Sequence, residues 1–224
     1  MPREDYQRRL AQLQRDVVEM SDLVIERLTM GLQALEERDE ELAWEVIEGD
    51  AEVNEVYLDL EQECVDLIAL QQPVAGDLRL IAASFKIITD LERIADLATN
   101  LGDYTKDAIR TEFPEIDVQE IGEYALSMVE DSVRAYKHED VELCYEVDEA
   151  DEELDAMCER VSQDVVRGLI DAENPESEGE VEILLKEATR VLLTIRDLER
   201  VGDHAVNIAA RTLYMIESDD ELIW

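Results

Sequence analysis

Residues 90–96 read Asp-Leu-Glu-Arg-Ile-Ala-Asp, and residues 197–203 read Asp-Leu-Glu-Arg-Val-Gly-Asp. The two stretches are related by a shift of 107 residues, and the match continues to Asn100 and Asn207. Chance rarely produces the same four residues twice in the same helical phase and order. Self-similarity of this kind predicts a duplicated fold.

The repeat also covers an earlier part of each half. With a shift of 101 residues, residues 39–46 align with residues 140–147, and two polar pairs follow in register: Asp50 with Asp151, and Asn54 with Asp155. The shift changes by six residues between the two matches, which places a loop of different length between paired elements.

The spacing of apolar residues predicts six helices and no sheet. Leu10, Leu13, Val17, Met20 and Val24 step by three or four, as one face of a helix does. Asp39 and Asp140 are suited to cap the second and fifth helices. The predicted helices run from about Leu10 to Leu35, Asp39 to Gln71, Gly76 to Ile109, Val118 to Tyr136, Asp140 to Asp171, and from the end of a loop at residues 174–179 to Ile216.

These helices predict an all-α fold of two pseudo-symmetric three-helix bundles. Phe113-Pro114 marks the break between the halves, because proline does not continue a helix. We therefore predict domains at residues 1–112 and 113–224.

The charge is strongly one-sided, with 59 acidic and 20 basic residues and a formal net charge of -39. Such a surface repels nucleic acid and anionic lipid, so direct binding to either is not expected. Self-repulsion on this scale is tolerable where salt screens it, so we predict a halophilic cytoplasm. Reversible unfolding on dialysis into low salt would support this, and full stability in dilute buffer would oppose it.

The chain shows no signal for export or membrane insertion. Its first ten residues are charged, and no apolar stretch approaches the roughly 18 residues that a membrane span needs. We expect a soluble, cytoplasmic protein. Cys64, Cys144 and Cys158 form no CxxC pair and are expected to be buried thiols in a reducing compartment.

Carboxylates interrupt the apolar stripes of four helices. The third helix reads Leu78, Ile81, Phe85, Ile88, then Glu92 and either Ala95 or Asp96. The sixth reads Leu185, Ala188, Leu192, Ile195, then Glu199 and either Gly202 or Asp203. The second and fifth helices offer Asp50 with Asn54 and Asp151 with Asp155 at matching positions. We expect these side chains to face inward.

Several close carboxylates in an apolar setting repel one another and need a counter-charge. Arg93 and Arg200 could supply it, or a cation could lie between the second and third helices of each half. Oxygen donors four residues apart on facing helices suit hard or borderline ions such as Mg, Mn or Fe, with Ca less favoured. His204 could lie at the edge of the helix packing or support a metal ligand, and its counterpart in the first half is Leu97.

Two longer motifs resemble the signature of the PhoU family. One is Asp-Leu-Glu-Arg-Val-Gly-Asp-His-Ala-Val-Asn-Ile at 197–208, and the other is Leu-Gln-Gln-Pro-Val-Ala-Gly-Asp-Leu-Arg at 70–79 followed by residues 90–96. The resemblance implies two three-helix bundles and metal ions (Fe, Mn, Mg or Zn) held by E(D)xxxD motifs. By match, the ligands fall on Asp50, Asn54, Glu92, Asp96, Asp151, Asp155, Glu199 and Asp203.

The resemblance also implies a function. Members of the family are negative regulators of phosphate uptake, without catalytic activity, that act on a phosphate transporter ATPase subunit or a phosphate-responsive signalling protein. This chain departs from the fuller pattern at Asn54, Ala95 and Leu97, which weakens the first metal site.

Two other classes of function stay open. A metal-free helical adaptor would pair its inward acids with Arg93 and Arg200, and Gln and Asn at Glu92 and Asp96 would leave it unharmed. A metal-dependent phosphohydrolase would need a basic cluster that the sequence does not place near the acids. A di-iron oxidase is disfavoured because neither histidine follows a glutamate by three residues. Exposed apolar residues such as Tyr214 and Ile216 make a homodimer plausible.

Overall fold

A computed structural model describes residues 3–70, 73–107, 117–171, 178–218 and Leu222. All regular secondary structure in these residues is helical, which confirms the predicted all-α class. The six helices are α1 (Arg3–Glu37), α2 (Glu40–Leu70), α3 (Ala75–Lys106), α4 (Gln119–His138), α5 (Val141–Asp171) and α6 (Glu178–Glu217).

Two predicted helix ends need correction. Helix α3 stops at Lys106, before the predicted Ile109, and Asp107 forms its C-cap. Helix α6 starts at Glu178, so the predicted loop at 174–179 loses its last two residues to the helix. Glutamates in a first turn interact favourably with the helix dipole, which offsets the cost of Gly179. The predicted end at Gln71, Ile109 itself and the domain boundary at Phe113-Pro114 lie outside the described residues.

Both predicted aspartate caps are confirmed. The Oδ1 atom of Asp39 accepts hydrogen bonds from the backbone N–H groups of Glu41 and Leu42 at 2.9 and 3.1 Å. The Oδ1 atom of Asp140 accepts from the backbone N–H of Leu143 at 3.2 Å. The residue before each cap has a left-handed backbone, with φ of 53° and 54°, and this turns the chain sharply into the next helix.

Helices α1, α3, α4 and α6 form the centre of the molecule, and α2 and α5 cover its two ends. Helix α2 packs on α1 and α3, and α5 packs on α4 and α6. In the described parts of the chain α2 and α5 do not meet. The halves join through α1 with α4 and α3 with α6, so the core is continuous across them.

The predicted stripe of α1 is the face that packs into this core. Leu13, Val24 and Leu28 have no solvent-exposed surface. Gly102, near the C-terminal end of α3, allows α2 to pack closely on α3, because a Cβ there would lie 2.9 Å from the carbonyl oxygen of Ala43. The predicted exposure of Tyr214 and Ile216 is wrong, since both are half-buried and Ile216 packs against the core.

Cys64, Cys144 and Cys158 are buried and unpaired, as predicted. Burial is the main cause that raises the pKa of each thiol to about 12, so the thiols stay protonated. No helix in the described ranges is both long and apolar enough to cross a membrane.

Candidate metal centre

The first carboxylate cluster lies between α2 and α3. Asp50 and Asn54 come from α2, Glu92 and Asp96 come from α3, and all four are half-buried by residue. The Nδ2 atom of Asn54 donates a hydrogen bond to Oδ2 of Asp50 at 2.7 Å. Arg93 donates to Asp96 at 2.9 Å and lies 3.4 Å from the Glu92 carboxylate. The carboxylates of this cluster are therefore partly satisfied by the Asn54 amide and the Arg93 guanidinium.

The carboxylates of the first cluster still repel one another. Burial, followed by the charge of Asp96, raises the pKa of both Asp50 and Glu92. The Asn54 hydrogen bond opposes this shift at Asp50, and Arg93 opposes it at Glu92. The shifts show that α2 and α3 bring these side chains close enough to interact electrostatically.

The second cluster lies between α5 and α6 and has fewer neutralising contacts. Asp151 and Glu199 are half-buried, whereas Asp155 and Asp203 are exposed. The Oδ1 atom of Asp151 is buried and accepts no hydrogen bond from the described residues. Burial and the charges of the other three carboxylates raise the pKa of Asp151 to about 6, with Asp148 contributing.

Burial also raises the pKa of Glu199 and of Asp203 in the second cluster. At Glu199 the charge of Asp155 adds to the effect of burial, and at Asp203 the charge of Asp155 does the same. His204 and Arg200 oppose the shift at Asp203. A buried carboxylate oxygen without a donor, beside three further acids, is the arrangement that a bound cation would relieve.

The prediction that these carboxylates point into the core is wrong in detail. They lie at the rim of each helix pair, and the core-facing positions are Ala95 and Gly202, which are both buried. A helix turns every 3.6 residues, so the apolar stripe can continue three or four residues after each glutamate. Here it continues after three, which places Ala95 or Gly202 in the core and leaves the aspartate next to it at the edge. The outer ends of the same stripes, Leu78 and Leu185, are also exposed, at 44% and 54%.

The packing of α5 on α6 explains why a glycine stands at position 202. A Cβ at this position would lie 2.2 Å from Cδ2 of Leu154 and 3.6 Å from the orphaned Oδ1 of Asp151. The absence of a side chain therefore lets α5 approach α6 closely at the second cluster.

The donor set fits a hard or borderline cation. Each cluster offers only oxygen ligands from two facing helices, which suit such an ion. Among the described residues, no three acidic, histidine or cysteine side chains already converge on one point. The eight ligands named from the sequence therefore stay a prediction, which the chemistry of the donors supports.

Sequence reasoning missed two aspartates that join the halves. The carboxylate of Asp197 is fully buried. It accepts hydrogen bonds from the hydroxyl of Tyr104 at 2.7 Å and from Nδ2 of Asn100 at 3.1 Å, both on α3. Arg196 donates to its other oxygen through Nε and Nη2 at 3.1 and 2.8 Å.

The matching aspartate of the first half, Asp90, makes the reciprocal contact. Its Oδ1 atom lies 2.9 Å from Nδ1 of His204 and accepts from Nδ2 of Asn207 at 3.4 Å. Each helix thus places an aspartate against an asparagine of the other, and α3 and α6 run antiparallel. The matched pair Asn100 and Asn207 was the signal available in the sequence. Of the two roles open to His204, the edge of the helix packing is the observed place, while Leu97 is buried in the core.

The fold and the paired clusters define a class: a duplicated three-helix-bundle protein with one acidic site in each half. The family model for the PhoU domain matches this chain twice, at residues 17–105 and 118–212. The chain belongs to the PhoU family.

Relatives in bacteria and archaea agree. A phosphate-specific transport system accessory protein, PhoU homolog 1, from Methanothermobacter thermautotrophicus is 31% identical over 96% of this chain and 95% of its own length. A homolog 1 from Thermotoga maritima is 31% identical over 94% of this chain and 88% of its own length.

Solved structures confirm the fold. PhoU from Pseudomonas aeruginosa superposes with a TM-score of 0.82 at 28% identity, covering 96% of this chain and all of that one. The phosphate transport system regulatory protein PhoU from Streptococcus pneumoniae has a TM-score of 0.86 at 24% identity, covering 96% of this chain and 98% of that one.

Proposed function

We propose that this protein is a cytoplasmic, non-enzymatic regulator of phosphate transport and phosphate signalling. It acts by metal-dependent binding to a phosphate transporter ATPase subunit or to a phosphate-responsive signalling protein. The relatives named as accessory proteins of phosphate-specific transport support the process. The observation that carries the metal requirement is the buried, unpartnered Oδ1 of Asp151 among three other carboxylates.

The metal would be held between the paired helices of each half. Asp151, Asp155, Glu199 and Asp203 form the second site, and the first site is formed by Asp50, Asn54, Glu92 and Asp96. The ion, which we expect to be Fe, Mn, Mg or Zn, supplies positive charge that neutralises repelling carboxylates. It would thereby tie the outer helices α2 and α5 to the central four, and would fix the outer faces on which a binding protein docks.

The negative charge of the molecule limits which proteins its surface can bind. A net charge of -39 favours a basic patch on the protein bound, and high salt would leave apolar contacts as the main anchors. Exposed apolar side chains are present on both outer helices: Leu58, Val65 and Ile68 on α2, and Val166 and Ile170 on α5. The same residues are suited to self-association, and the homodimer remains a prediction.

The test combines metal analysis with a binding assay. The protein is purified in high salt without chelator, and its metal content is compared with that of the variant Glu92→Gln, Asp96→Asn, Glu199→Gln, Asp203→Asn. We expect Fe, Mn, Mg or Zn in the wild type and its loss in the variant. The transporter ATPase subunit and a phosphate-responsive sensor protein are then presented separately to both forms.

Capture by the wild type and not by the variant supports metal-dependent docking. A wild type that is free of metal yet binds either protein would refute the metal requirement and would leave the metal-free adaptor. The variant must keep the helical circular dichroism of the wild type, because only then does lost binding report on the site.

A further inference from the structure

A groove between α3 and α6, with one wall from α2, is separate from both carboxylate clusters. Its volume is about 630 Å³, which falls in the range of small-molecule sites. Ile68, Ile81 and Phe85 form an apolar wall, and Lys86 and Arg211 add two cationic side chains. A cationic groove is unexpected on a chain with three acidic residues for each basic one.

Neither cation is neutralised by the described residues. Lys86 and Arg211 make no ion pair or hydrogen bond to any residue in the described ranges, and Nε of Arg211 is buried without an acceptor. A buried N–H group without an acceptor is destabilising, because it has lost its hydrogen bonds to water and gained none in return. An acceptor from outside the chain would remove that cost.

Among the described residues that line the groove, the one acid is already engaged. Asp90 interacts with His204 and Asn207, at 2.9 and 3.4 Å. The hydroxyl of Thr89 donates to the carbonyl oxygen of Phe85 at 3.0 Å. Within the described ranges, the groove therefore has two cationic donors without a partner, beside polar groups that are satisfied within the protein.

The second half contains a matched groove without this pair. It measures about 350 Å³ and is lined in part by Tyr104, Thr189 and Leu193. Its two cations lie at other positions of the repeat: Lys186, and Arg190, which is paired with Glu187 at 2.9 Å. Leu193 takes the place of Lys86, and Tyr104 takes the place of Arg211 under the same repeat. The Tyr104 hydroxyl is bound to Asp197 at 2.7 Å. The duplication thus provides an internal comparison, because neither Lys86 nor Arg211 has a basic counterpart at its repeat position.

We propose that the α3–α6 groove binds a small organic anion. A carboxylate or phosphate head contacts Arg211 and Lys86, because a guanidinium binds either group through two parallel hydrogen bonds. An attached aromatic or aliphatic group packs on Ile68, Ile81 and Phe85. This binding site uses none of the proposed metal ligands, and it shares only Ile68 with the proposed docking surface of α2.

The test uses 4-fluorophenyl phosphate and 4-fluorobenzoate, each observed by fluorine NMR. The protein is treated with chelator and kept in high salt, so that neither probe is held by metal. We expect saturable binding of at least one probe, and the better probe identifies the head group. Because charge-assisted hydrogen bonds are lost, Arg211→Gln should weaken binding about tenfold or more, and Lys86→Gln about threefold.

A blocking variant and its matched control make the test specific. Ala82 is exposed on the groove, so Ala82→Glu should fold normally and abolish binding by placing a carboxylate against the two cations. Thr189→Glu makes the equivalent change in the second groove and should leave binding within about twofold of the wild type.

Inorganic phosphate tests the apolar wall, and we expect it to compete at least about tenfold more weakly than the better probe. The proposal is overturned by absence of saturable binding, by wild-type affinity in Arg211→Gln, or by equal competition from inorganic phosphate. Loss of binding in Thr189→Glu as in Ala82→Glu would also overturn it, by moving the site elsewhere.

Discussion

The two acidic clusters share a motif but differ in how their charge is balanced. In the first, Arg93 turns toward Asp96 and Glu92, and Asn54 donates to Asp50. In the second, the matched Arg200 lies 3.7 Å from Asp197, one turn back along α6. One oxygen of Asp151 has no donor among the described residues.

The difference teaches that a repeated sequence does not fix the electrostatics of a repeated site. An arginine at the centre of Asp-x-x-Arg-x-x-Asp can reach either acid, three residues before or after it. The buried Asp197 attracts Arg200 in the second half, whereas Asp90 interacts with His204 and leaves Arg93 to the cluster. We expect the second cluster to be the stronger metal site.

The largest expected effect concerns the two joining aspartates. Asp197→Ala should lower the free energy of unfolding by about 3 kcal/mol, because it leaves Arg196, Tyr104 and Asn100 without their buried acceptor. Asp90→Ala should cost about 1 kcal/mol, since Asp90 is only partly buried. Urea unfolding of both variants in one high-salt buffer measures the difference, and equal losses would contradict the asymmetry.

Metal affinity distinguishes the clusters next. The double variant Asp151→Asn, Asp155→Asn should weaken metal binding at the second site on the order of 100-fold, because two of the carboxylates proposed to bind the ion directly are lost. Asp50→Asn should have a smaller effect, since Asn54 and Arg93 already satisfy part of the first cluster. Competition with a metal-sensitive dye reports both affinities, and a greater loss in Asp50→Asn would reverse the ranking.

The smallest expected effect is the pH dependence of the metal-free protein. Asp151 has a pKa of about 6 in the folded state against 3.8 ordinarily, so the folded state holds its proton more tightly. Below pH 3.8 the carboxyl is protonated in both the folded and the unfolded state, so it has no effect on stability. As pH rises from 3.8 to about 6 its ionisation increasingly destabilises the folded state, and above about pH 6 the full penalty is present. Asp151→Asn removes this penalty.

At pH 7.5 the gain in unfolding free energy from Asp151→Asn should be on the order of 1 kcal/mol after allowing for solvent screening. The gain should shrink as pH falls toward 4.5. Asp50→Asn, whose carboxylate accepts from Asn54, should gain less. Chelator-treated protein unfolded in urea at both pH values provides the measurement. A gain in Asp151→Asn that does not change with pH would show that desolvation of its charge is not the cause.

The sequence by itself determined the helical class and the duplication, and it predicted the oxygen donors of the metal sites. Apolar spacing, the caps at Asp39 and Asp140 and the repeated motif are local signals, because a helix is built from hydrogen bonds and contacts within four residues. The acidic motif also sufficed to indicate the family. The error about inward-facing acids was a shift of one residue along the helix, and the sequence had already left Ala95 and Gly202 open as the core-facing positions.

Only the tertiary structure decided which acids, amides and cations meet. Asp90 with His204, Asp197 with Tyr104, and the groove that holds Lys86 and Arg211 all depend on the crossing of α3 with α6. Their partners lie about a hundred residues apart in the chain, and helical periodicity carries no information on such pairs. The packing of the two halves therefore sets the charge balance of sites that the repeated sequence made look equivalent.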